Sequence, residues 1–213
     1  ERFKYVVFDT PAGGVNHLSS LMNSIDQVLF IFDMSNSIAV NGSIDALHSF
    51  IDYYEDFYKD YKQGRLTGLD KAYVNRMIAM RGQEAVTEIL SNKKFGIIFN
   101  RCQSPKEISN CLDQLREYLE TLDRYDEYKD RIHMVGMVPD HKIINITNNR
   151  GTLFYDKDSS LSKCINLIAE NILTDNQNCP TLSSSNSETF QFLQQKGRRS
   201  WASRFGKIAS SLG

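Results

Sequence analysis

Asp9 directly follows Tyr5-Val6-Val7-Phe8 and is itself followed by Thr10-Pro11-Ala12-Gly13-Gly14. Four apolar or aromatic residues in a row, too few for a helix and cut off by a Pro/Gly turn, read as a buried parallel strand. Open α/β sheets bind ligands just beyond the carboxyl ends of their strands, so a carboxylate at this point is placed for ligand work. Pro11 stiffens the exit, and the two glycines let backbone N–H groups approach an anion closely. An ordinary turn with a structural Asp is the competing reading, because short motifs also match by chance.

The elements that must position such a carboxylate follow along the chain. Val28-Leu29-Phe30-Ile31-Phe32-Asp33, Phe95-Gly96-Ile97-Ile98-Phe99-Asn100 and Ile132 to Pro139 each have strand length and run into polar or turn residues. Between them lie helical patterns: Val15 to Ile25, Ser43 to Tyr58, Pro105 to Leu122 and Ser160 to Leu173. Ile108, Leu112, Leu115, Leu119 and Leu122 recur at spacings of four, three, four and three, lining one helix face. Ser104-Pro105 opens that helix with a capping hydroxyl and a proline in its first turn. Strands alternating with helices predict an α/β domain with a mostly parallel sheet, doubly wound and covered on both faces.

Tyr5 to Gly14 resembles the Walker B strand and switch II turn, Asp-x-Pro-x-Gly, of the MinD/ParA family of deviant-Walker P-loop ATPases. Asn100-Arg101 is similar to the Asn-Arg or Asn-Lys element which that family places beside the nucleotide base. Val135 to Asp140, with Pro139, resembles the following strand and turn that packs on the same base, and Ile143 to Leu153 resembles the short helix and turn after it. Thr152 stands where proline is common in the family. Four elements in order, covering about Tyr5 to Leu173, are more specific than any one.

The resemblance implies ATP and Mg2+ as cofactors. Asp9 would hold a metal-bound water in the second shell of the magnesium. Thr10, Pro11 and Ala12 would direct the Gly13 amide toward the γ-phosphate, whose loss that turn senses. Asn100, Arg101, Pro139 and Asp140 would line the base. GTPases of the broader class read guanine with an acid shortly after the Asn, and this chain has uncharged Gln103 there, which favours adenine. Without the surrounding pattern, Asn100 would read as a turn-capping loop residue.

No Gly-x-x-x-x-Gly-Lys-Ser/Thr loop occurs in the chain. In the family this loop lies upstream of the Walker B strand, so the 213 residues are expected to be the carboxyl-terminal part of a longer ATPase, inactive as given. A scaffold that lost the loop and kept the fold as an interaction module is the alternative. The resemblance further implies ATP-dependent homodimerisation and a role in positioning a division site, flagellum, pilus or DNA segment.

Composition is that of an ordinary globular chain, 41% apolar and 24% charged with a net charge of −1. Cys102, Cys111, Cys164 and Cys179 form no Cys-x-x-Cys pair, which argues against a zinc ribbon or redox pair. His17, His48, His133 and His141 are scattered and read as surface or turn residues. The expected localisation is cytoplasmic, with peripheral attachment to the inner face of the cell membrane.

Residues 1–180 are expected to form the ATPase domain, interrupted by a helical insertion at 53–90 with a tyrosine-rich start and a second helical stretch from Leu69 to Leu90. A connection of that length is suited to a protein partner, or else is a local elaboration of the sheet edge. Thr181 to Ser187 reads as a polar linker leading to a basic tail at 181–213. Five cations against Glu188 alone leave that tail at +4 and the remainder at −5. Trp201, Phe205, Ile208 and Leu212 fall on one face of a helix with Arg204 at its flank, a pattern suited to an anionic membrane surface. Docking on protein and, less favoured, nonspecific DNA binding are the alternatives.

Overall fold

The computed structural model describes residues 27–140 and 159–194. The strand expected at Tyr5–Phe8, the helix at Val15–Ile25, the turn at Ile143–Leu153 and the amphipathic tail helix lie outside the described residues. The described residues divide into two compact units, one comprising residues 27–44 and those from 93 onward, the other residues 45–92.

The first unit is mixed α/β. Strands β1 (Gln27–Asp33), β2 (Lys94–Cys102) and β3 (Ile132–Pro139) form a parallel sheet in that order. Central β2 buries Phe95, Ile97 and Phe99 completely. A continuous apolar run is what a strand covered on both faces requires, and each such side chain contributes about 1.5–3 kcal/mol. Gly96 is there because nothing larger fits: a Cβ would lie 2.5 Å from Leu29 and 2.7 Å from Val135.

The helix after β2, α4 (Pro105–Thr121), buries Ile108, Cys111, Leu112, Leu115 and Leu119. Ser104 caps it by accepting the Glu107 N–H while the Glu107 carboxylate accepts the Ser104 N–H, a reciprocal arrangement worth about 1 kcal/mol. Leu122, the last member of the expected stripe, follows the helix and is partly exposed. A short helix, α5 (Tyr125–Tyr128), leads into β3, and α6 (Ser159–Leu173) packs on β3, where Asn171 donates to the Val135 carbonyl at 2.7 Å.

Residues 181–187 differ from the flexible linker expected of their composition. Met134 N–H donates to Pro180 O at 2.8 Å and Leu182 N–H to Ile132 O at 3.0 Å, so this segment pairs along the outer edge of β3. Leu182 is fully buried. Arg116 on α4 donates to the carbonyls of Leu182 and Ser184 and to Asn186, the first residue of helix α7 (Asn186–Gln194). Backbone pairing is indifferent to side-chain polarity, which is how a serine-rich run becomes ordered structure.

His133 also departs from expectation. It sits within β3 and is buried, not placed on a turn. Burial, with Lys94 adding to it, pushes its imidazole below the ordinary value, against opposing pulls from Asp175, the Cys179 carbonyl and Asp130.

The second unit is helical in its described part. Helix α1 runs from Ser37 to Lys62, starting six residues before the expected Ser43, because Asn36 Oδ1 accepts the Ala39 N–H at 3.0 Å and caps it. Its portion beyond Asp45 belongs to this unit, followed by α2 (Gly68–Arg81) and α3 (Gln83–Ser91). The helical stretch expected over Leu69–Leu90 is thus two helices, parted at Gly82, whose φ of 87° a side chain would resist. Phe57, Val74, Met77, Val86 and Leu90 form one buried cluster. The tyrosine-rich start of the expected insertion is helical: Tyr54, Tyr58 and Tyr61 stack at centroid spacings of 6.0 and 6.3 Å, and the Tyr54 hydroxyl donates to the Leu90 carbonyl.

Candidate functional site

Parallel register gathers chemistry at one end of the sheet. Asp33 pairs in register with Asn100, Asn100 with Val138 and Cys102 with Pro139, so the carboxyl ends of all three strands lie side by side. The Asp140 N–H donates to Cys102 O at 2.9 Å, which ties the exit of β3 to the exit of β2. Asn100, Arg101, Pro139 and Asp140, assigned from sequence to the base, are therefore brought to adjacent strand ends.

Their surroundings differ. Pro139 is buried against the sheet, while Arg101 and Asp140 are exposed. Among the described residues the Asn100 side-chain amide makes no hydrogen bond, although its backbone carbonyl accepts Met34 N–H at 2.9 Å. An uncommitted amide offers one donor edge and one acceptor edge, the pair of functions that matches adenine N7 and N6. Gln103 Nε2 lies 3.4 Å from Asp140 Oδ2, so the uncharged residue that favoured adenine sits against the base-side acid.

Arg101 has φ of 61°, in the left-handed region that a non-glycine residue seldom visits. Its Nη1 reaches Asp33 Oδ2 at 3.4 Å, with the two side chains 54% and 40% exposed. A pair so solvated contributes under about 1 kcal/mol, so its consequence is placement: the guanidinium is drawn across β1 and β2. Asp33 is fixed in turn by accepting the Ser35 N–H at 3.0 Å and by donating its own N–H to Ser43 Oγ at 3.3 Å. Glu107 Oε2 accepts the N–H groups of Gln103 and Ser104 at 3.0 and 3.2 Å and holds the loop beyond β2.

Asp33 and Glu107 were not singled out as site residues from sequence. Asp33 had the same signal as Asp9, an acid closing an apolar strand, and Glu107 the spacing of a capping box. Cys102, at the same strand end, is no nucleophile. Burial first, then the Glu107 carboxylate, raises its thiol far above the ordinary range, and burial pushes Cys111 up to about 12.

Asp9, Thr10, Pro11, Ala12 and Gly13 lie outside the described residues, as do Trp201, Arg204, Phe205, Ile208 and Leu212. Among the described residues, no cluster of three or more His, Cys, Asp or Glu is arranged to hold a metal, and no helix is long and apolar enough to cross a membrane. No protein-family model, curated protein or solved structure matches the chain.

Proposed function

We propose that the chain is the carboxyl-terminal part of a MinD/ParA-like ATPase. Its doubly wound sheet would be completed, and its phosphate-binding loop supplied, by a preceding segment. One observation carries the reading: the register that sets Asn100-Arg101 beside Pro139-Asp140 at a single end of a parallel sheet. These four residues would line the adenine of ATP. Asp9 would steady a water of the bound Mg2+, and the Thr10–Gly13 turn would report the state of the γ-phosphate. The nucleotide would drive homodimerisation, and the tail face of Trp201, Arg204, Phe205, Ile208 and Leu212 would attach the dimer to anionic membrane. Cycling between these associations would position a cellular structure such as a division site, flagellum, pilus or DNA segment.

The base half of this site can be tested on these 213 residues. Adenosine at millimolar concentration should shift the Asn100 side-chain amide resonances, guanosine should shift them less, and Asn100→Ala should remove the binding. In the protein carrying the loop, Asp9→Ala should abolish ATP turnover. An unmoved Asn100 with adenosine overturns the base assignment, and undiminished turnover in the Asp9 variant makes Asp9 merely structural. Loss of both nucleotide binding and turnover from the protein carrying the loop favours a non-catalytic scaffold.

A further inference from the structure

The helical unit carries an open groove of about 420 Å³, within the range of small-molecule sites, lined by the end of α1, the turn after it, α2 and α3. Among the described residues its lining includes two cations, Lys62 and Lys71, and no carboxylate. Acids nearby are already engaged: Asp60 pairs with Arg65 at 2.6 Å, and Asp70 accepts the Tyr53 hydroxyl at 3.4 Å. Among the described residues no acid pairs with either lysine, and the Lys62 ammonium instead lies 4.5 Å from the Tyr58 ring centroid.

The rest of the wall is of two kinds. Val74 and Ile78, one turn apart on α2, give it an apolar floor, and Val74 belongs to the buried cluster. The lining also carries a hydroxyl–amide group. Tyr61 OH and Thr87 Oγ1 are 2.7 Å apart, and Gln83 Nε2 donates to the Tyr61 hydroxyl at 2.6 Å. These bonds fix the polar edge before any ligand arrives, which reduces the ordering cost of binding. Asn75 adds an amide to the same lining.

A groove with two cations in no ion pair among the described residues, a preset hydrogen-bonding edge and an apolar floor has the complement of a particular kind of molecule. We infer that the groove of residues 61–87 binds a small anion carrying an apolar body, its carboxylate or phosphate held by Lys62 and Lys71 and its body laid on Val74 and Ile78. Coulomb attraction at the mouth and burial at the floor then act on opposite ends of one ligand, so neither half alone is bound as tightly. This site lies in a different unit from the strand-end residues and does not depend on nucleotide binding.

The test is a titration of the full chain followed by two-dimensional NMR and calorimetry with four probes: phenyl phosphate, octanoate, inorganic phosphate and phenol. Phenyl phosphate or octanoate should saturate and shift Tyr61, Lys71 and Gln83, and the tighter of the two identifies the anion as phosphate ester or carboxylate. Inorganic phosphate and phenol should each bind at least about ten-fold more weakly. Lys71→Glu should weaken binding about ten-fold or more. Lys71 is exposed, so helical circular dichroism should be unchanged, and Lys62→Glu provides a second variant should it not be. Failure of both amphiphilic anions to saturate, inorganic phosphate binding as tightly as phenyl phosphate, or unchanged affinity in a folded charge-reversal variant overturns the inference.

Discussion

The α/β unit and the helical unit are held together in different ways. In the first, three strands pair in register, the edge of β3 is closed by residues 180–182, and the apolar stripe of α4 adds a second layer of burial. Backbone hydrogen bonds and apolar burial support one another there. The described helical unit has no sheet ladder; Phe57, Val74, Met77, Val86 and Leu90 cluster in it, and Leu47, Phe50, Ile51 and Tyr54 are buried along α1. Truncating a side chain of that cluster leaves a void with no strand ladder beside it to hold the backbone, whereas a change in the sheet is spread over backbone pairing as well as packing. The difference also bears on what each unit can offer. The sheet presents its residues at fixed strand ends, and the helices line an open groove with side chains.

The sharpest way to break this comparison is Phe57→Ala. It should cost about 3–5 kcal/mol, read as faster amide exchange at Val86 and Leu90. Gly96→Ala forces a methyl into space held by Leu29 and Val135 and should cost about 3 kcal/mol in urea unfolding. If Gly96→Ala costs more than Phe57→Ala, the helical cluster is not the weaker of the two. Arg116→Ala leaves the Leu182 and Ser184 carbonyls without their donor and should cost about 2 kcal/mol, with faster exchange at the Leu182 amide.

The smallest expected effect is with pH. His133 is held below its ordinary value of 6.5, chiefly by burial, so the unfolded chain takes up a proton first as pH falls. The His133 contribution is therefore fully present above about 6.5 and is lost as pH falls from there toward the lower folded-state value. Urea midpoints should drop as pH falls from about 7 to about 5, and His133→Gln should flatten that slope.

Much of the sheet was legible in the chain. Ile132 to Pro139 was read to the residue, because an apolar run interrupted only by His133 and Gly136 ends at a proline that cannot continue the ladder. The Ile108-to-Leu119 stripe and the Ser104 cap were equally plain. What stayed hidden depended on partners remote in sequence. Nothing near Leu182 announces that its N–H will meet Ile132, and nothing near Asp33 that a guanidinium 68 positions later will reach it. Gly82 parting two helices looked like an isolated glycine inside one pattern, which helices tolerate. Of the candidate site, the strand-end residues could be placed because strands were readable, and the groove of the helical unit could not, because it arises from how three helices pack.

The strap along β3 has a consequence for how the protein is made. Residues 180–182 are synthesised after the three strands and α6, so until they emerge the last strand carries an open row of N–H and C=O groups. Such an edge recruits strands from other chains. Products that terminate before Pro180, whether from stalled translation or from proteolytic clipping, are therefore expected to be the sticky species in a cell, and chaperone engagement should fall once this short stretch has been laid down.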